Sequence, residues 1–271
     1  MLKQRLDRIH GQYNRREYVA PDPLEFLYNY PQVRDREIVA LVAALLAYGR
    51  VAQILKAVTQ VLDLFGTSPH GYLLTRNQAD IVHDLEGFKY RFTTGKQMAC
   101  LLMGVKTVLQ RFGSLETCFA EGFSPDDETV IPALSLFVKQ LSCRGSMGIL
   151  AADPDKRSAC KRNNLFLRWM VRKDRVDPGG WDRIPCSALV VPLDTHMFRV
   201  GTQLGFTRKK QANLKTALEI TQGFRTLVPH DPVRYDFCLT RFGIRKEMNP
   251  AELKMILSGG TGKVSGNKGK K

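Results

Sequence analysis

Eleven consecutive apolar residues, Ile38 to Tyr48, follow the charged triplet Asp35-Arg36-Glu37. A membrane-crossing helix needs about 20 such residues, so the run reads as a helix buried in a core. The elements available to surround it are almost all helical. Asp22-Pro23 sets an N-cap before a proline and opens a short helix through Leu24 and Leu27. Asp35 is expected to cap the apolar helix, which reaches Gly49. Val51 to Phe65 keeps helical spacing through Ile54, Val58, Val61 and Leu62, and Gly66 closes it.

Ser68-Pro69 starts a further helical turn, and 93–112 and 129–141 carry two more helical patterns separated by turn formers at Gly113–Asp127. Residues 143–160 read as a loop or irregular hairpin. Helices are expected over Lys161–Lys173 and Asp194–Leu204, from Thr207 through Phe224, and from a cap at Asp231-Pro232 to a stop at Gly243. The first twenty residues are polar and basic, a helix or a loose arm. Only Ala188–Val191 has the look of a strand. The fold class is therefore all-α. A helical body spans 1–257, and the Gly/Lys-rich segment 258–271 is expected to be disordered.

Charge narrows the partners. Lys and Arg number 41 against 26 Asp and Glu, a formal net charge of +15. Such an excess attracts polyanions, nucleic acid above all. An anionic membrane is the poorer fit, because no amphipathic helix has a solidly basic face. Cys100, Cys118, Cys143, Cys160, Cys186 and Cys238 contain no C-x-x-C pair. This argues against a zinc ribbon or an iron–sulfur cluster and points to reduced thiols in a cytoplasmic protein, with no metal or cofactor expected.

The segment from Cys160 to Gly205 carries the candidate chemistry. In the 161 helix, Leu165, Phe166, Trp169 and Met170 form one stripe, and Lys161, Asn164, Arg168 and Arg172 form another. A cationic stripe suits a phosphate backbone, and Arg157 and Arg162 add neighbouring cations. Lysine attacks only as the neutral amine. A helix N-terminus, neighbouring cations and partial burial all favour loss of its proton. Lys161 sits where all three can act, although a lysine among arginines also suits plain phosphate binding. Asp194 stands before the next helix as an N-cap, and an ionised carboxylate there can also stabilise a positive sugar carbon. Trp181 in the 174–185 loop is a candidate for stacking on a base or for core packing. Asp174, Asp177 and Asp182 read as solvated turn formers, and His196 is given no catalytic role.

PLDTHMFRVGTQLG (192–205) resembles the segment that carries the catalytic aspartate of the helix-hairpin-helix DNA glycosylases, the endonuclease III superfamily, with Asp194 on that aspartate. KRNNLFL (161–167) is similar to the segment beginning with their Schiff-base lysine, and Lys161 falls on it. Residues 35–58 resemble the superfamily's first long helix pair, which implies that Tyr48, Gly49 and Arg50 lie near the DNA. DPVRYDFCLTRFGI (231–244) resembles a helix near its C-terminus. Taken whole, 20–245 look like a bacterial family of unassigned function related to the archaeal-type 8-oxoguanine glycosylases.

The resemblance implies a two-lobed fold with a cleft near 160–195. It implies a monomer acting on double-stranded DNA with a damaged base, such as 8-oxoguanine. Lys161 and Asp194 would be the catalytic pair, with abasic-site lyase activity through the lysine. Arg157 and Ala159 stand where the superfamily's hairpin has glycines, so the helix-hairpin-helix is expected to be degenerate. The lysine-to-aspartate gap is longer than in the endonuclease III branch, and no cysteine quartet follows Gly205. A non-catalytic DNA-binding protein on the same scaffold, or an RNA-binding or RNA-modifying protein, is the alternative. The changed glycines favour it; the presence of both Lys161 and Asp194 opposes it.

Overall fold

A computed structural model describes residues 1–245 and 247–259. The tail expected to be disordered lies, from residue 260 onward, outside the described residues. Helix α1 (Leu2–Tyr13) is followed by a 3₁₀ helix (Pro23–Asn29), α2 (Val33–Leu45), α3 (Val51–Phe65), α4 (Pro69–Thr75) and α5 (Gln78–Asp84). A short antiparallel hairpin, β1 (Lys89–Tyr90) with β2 (Thr93–Thr94), leads into α6 (Gly95–Phe112), α7 (Leu115–Glu121) and α8 (Ile131–Leu141). Beyond an irregular connection come α9 (Lys161–Val171), α10 (Thr195–Gln203), α11 (Leu214–Arg225), α12 (Asp236–Ile244) and α13 (Pro250–Ser258). The fold is all-α, the hairpin being the one sheet among the described residues. No described helix is long and apolar enough to cross a membrane.

Helix α2 holds the centre. Every residue from Ile38 to Leu45 is buried, as the unbroken apolar run requires, with α9 and the Pro23–Asn29 helix packed against it. Helices α3 to α8 group on one side, where α6 meets α4, α5, α7 and α8. Helices α1 and α10 to α13 group on the other, centred on α12. The two groups share one continuous hydrophobic core. Gly104 of α6 shows how tightly it closes. A Cβ there would overlap the carbonyl of Leu141, so only glycine lets α6 and the end of α8 approach.

Several expected helix starts move. Asp35 does not cap α2. It is buried in the first turn, and its Oδ1 instead accepts hydrogen bonds from Ser68 Oγ and the His70 amide, both at 2.9 Å. The helix expected from Thr207 begins only after Asn213, whose side chain accepts the Thr216 amide. Gly243 does not stop α12, which runs through it to Ile244. Asp231 caps nothing there; it is bound to Arg172, the residue that follows α9. Residues 115–121 are helical where turn formers suggested a loop, and the hairpin occupies 89–94.

Candidate active site

A cleft of about 430 Å³ opens between the helix groups. Pro21–Pro23 and Tyr48–Gly49 line one wall, Lys161 and Leu165 of α9 another, and Asp194, His196 and Asp236 a third. Lys161 and Asp194, 33 residues apart in sequence, thus face one cavity (194 − 161 = 33).

Lys161 is the first residue of α9 and is partly exposed. The turn before it is strained: Cys160 has φ 47° and Arg157 φ 59°, left-handed conformations that cost a side chain some strain. Arg157 is the position where the resemblance expects glycine. The glycine-like backbone is present without the glycine, and the Leu214 amide donates to its carbonyl at 3.2 Å. A 3₁₀ turn, Pro154–Lys156, precedes Arg157. Among the described residues the Lys161 ammonium forms no salt bridge and no side-chain hydrogen bond.

Asp194 caps α10. Its Oδ1 accepts the amides of His196 at 2.9 Å and Met197 at 2.8 Å, which orients the carboxylate and leaves Oδ2 toward other partners. His196 packs against α12: a Cβ on Gly243 would overlap its ring, and its buried Nδ1 has no partner. That explains the glycine at a position expected from sequence to stop the helix.

Asp236, the first residue of α12, was missed. It is 4 % exposed, lines the cleft, and pairs through Oδ2 with Arg168, while its buried Oδ1 has no partner. Burial pushes its carboxyl up to about 6, with the Asp194 charge adding to the rise against the pull of Arg168. An acidic residue inside the apolar pattern YDFCL was the available signal.

The cationic stripe of α9 turns inward. Arg168 and Arg172 are 3 % and 5 % exposed. Arg168 bonds Asp177 at 3.1 Å and also Asp236; Arg172 bonds Asp174 at 2.8 Å, Asp231 at 3.0 Å and Asp177. Although burial alone would lower them, the surrounding carboxylates hold both guanidiniums above their ordinary range. Asn164 is buried as well, donating to Ala159 O at 3.1 Å. Arg162 is spent on backbone carbonyls, Leu45 O at 2.6 Å and Ile149 O, and lies 4.9 Å from the Tyr48 ring centroid. The expectation that Asn164, Arg162, Arg168 and Arg172 contact phosphates is therefore corrected. A helical wheel groups residues on one face but does not say what that face meets. Asp177, read as a solvated turn former, is fully buried.

Trp181 is also corrected. It is 3 % exposed, packs edge-on against Phe166 at 5.1 Å between ring centroids, and donates Nε1–H to Glu37 Oε2 at 2.9 Å. It belongs to the core, outside the cleft. Tyr48 lines the cleft, with its hydroxyl 2.7 Å from Thr93 Oγ1. Arg50 and Arg157 are exposed.

The family model described as "Protein of unknown function (DUF2400)" matches residues 22–245, and the chain belongs to that family. No curated protein and no solved structure matches it.

Proposed function

We propose that this DUF2400 chain excises a damaged base from double-stranded DNA, with Lys161 as nucleophile and Asp194 as the stabilising carboxylate. The observation that carries the reading is the shared cavity: an amine at a helix start, unpaired among the described residues, and an oriented carboxylate at another, both lining one cleft. The net charge of +15 supports a polyanionic substrate.

In this reading the nucleotide swings out of the stack into the cleft. Neutral Lys161 attacks C1′ of the sugar as the C1′–N bond breaks, and the electron pair leaves with the base, which takes up a proton. Asp194 Oδ2 stabilises the positive charge that develops on the sugar in between. Loss of a proton from the new amine and ring opening give a Schiff base, which supports strand cleavage. An oxidised purine such as 8-oxoguanine is the substrate suggested by resemblance.

Borohydride added to protein and an 8-oxoguanine duplex is expected to yield a covalent complex that Lys161→Ala does not form. Tight duplex binding with no adduct on any lesion leaves a non-catalytic DNA-binding protein, and preference for RNA over duplex points to the RNA reading.

A further inference from the structure

Phe92 is 69 % exposed, the most exposed large apolar side chain after Met1 among the described residues. It sits at the tip of the β1–β2 hairpin, with the Arg91 guanidinium carbon 5.8 Å from its ring centroid. The tip is nevertheless firmly held. Lys89 pairs with Thr94 and Tyr90 with Thr93, and Thr94 caps α6 through a reciprocal bond with Gln97. Thr93 is fully buried, its hydroxyl beside Tyr48. The Tyr90 hydroxyl donates to the Tyr48 carbonyl, and the Tyr48 hydroxyl to the Tyr90 carbonyl at 3.0 Å.

These bonds fasten the hairpin to the cleft rim, because Tyr48 and Gly49 line the cavity. Gly49 has φ 100°, and a Cβ on it would lie 2.7 Å from Arg91 Nη1, so glycine makes room for the guanidinium beside Phe92. Arg91 itself takes φ 51°. An exposed aromatic on a rigid tip is thus flanked by exposed Lys89 and Arg91, with exposed Arg50 on the same rim. Cations beside an apolar wedge are the combination that holds a phosphate backbone while a side chain enters the base stack.

We propose that Phe92 is the wedge that enters the duplex at the lesion and fills the stack vacated by the extruded nucleotide. This rests on the excision reading and adds to it the residue that opens the helix. Arg91 and Lys89 anchor the flanking phosphates, and the bonds to Tyr48 set the wedge at the cavity mouth.

The test uses the full chain and a duplex with 2-aminopurine next to the lesion, whose fluorescence rises on unstacking. Wild type is expected to raise it at saturating protein. Phe92→Ala is expected to bind without the rise and to excise about ten- to a hundredfold more slowly, the scale of an unstacking step; Phe92→Trp retains both. Thermal melting of Phe92→Ala unchanged from wild type excludes a folding defect, as exposure of the ring predicts. Equal fluorescence from wild type and Phe92→Ala, or no rise with wild type, overturns the wedge. A Phe92-dependent rise with no Lys161 adduct supports the wedge and removes the excision chemistry instead.

Discussion

Lys161 and Arg168 lie two turns apart on one stripe of α9 and both line the cleft, but only the arginine is buried and ion-paired. At the amino end the stripe meets an open cleft, and the lysine has no described partner. Further along, Arg168 and Arg172 are locked among Asp174, Asp177, Asp231 and Asp236. The two arginines join α9 to the 174–185 loop and to the start of α12, which places Asp236 in the cleft wall. The arginine end fixes the helix in the fold, and the lysine end faces the cleft.

Breaking the committed end should have the largest effect. Arg168→Met or Asp177→Ala leaves buried charge uncompensated and is expected to cost about 3–5 kcal/mol in urea unfolding. Lys161→Ala should stay within about 0.5 kcal/mol of wild type, as a partly exposed residue does. If Arg172→Gln remains stable and flattens the salt dependence of DNA binding by about one unit of slope, the internal network is misassigned.

Trp181 offers a second contrast between core and cleft. Its indole is one of three donors to Glu37, alongside the amides of Leu115 and Glu116. Burial pushes Glu37 up to about 7 against those bonds. Trp181→Phe should cost about 1–3 kcal/mol in the melt while leaving excision at saturating DNA unchanged. A selective loss of turnover would put Trp181 in the base pocket after all.

His10 sharpens the comparison by pH. Burial, and then Arg234, lowers it to about 4. A histidine held neutral in the fold stabilises above its unfolded value of about 6.5, and that contribution is lost as pH falls toward 4. His10→Gln should therefore flatten the decline in unfolding free energy between those limits. The smallest effect concerns the exposed rim: Arg50→Ala should reduce the salt slope of binding by about one unit, with the melt unchanged.

The central helix and the all-α class were legible because an unbroken apolar run and helical spacing have few other solutions. Lys161 and Asp194 were legible by resemblance, and Asp194 also as a cap. The inward turn of Arg168 and Arg172 was not, since their carboxylate partners come from a loop and from a helix some 60 residues away. Asp35 misled for the same reason: its partners, Ser68 and His70, sit at the start of α4. Phe92, just before the helical pattern of 93–112, carries no signal of its own in the sequence, and only the pairing of Tyr90 with Thr93 sets it at a tip.

Peptide mapping by mass spectrometry of the borohydride-reduced complex with an 8-oxoguanine duplex tests the central claim most directly. The account predicts the sugar remnant on Lys161, with Asp194→Asn strongly reducing its yield. A remnant on another lysine, or intact DNA with no modified peptide at saturating binding, contradicts it.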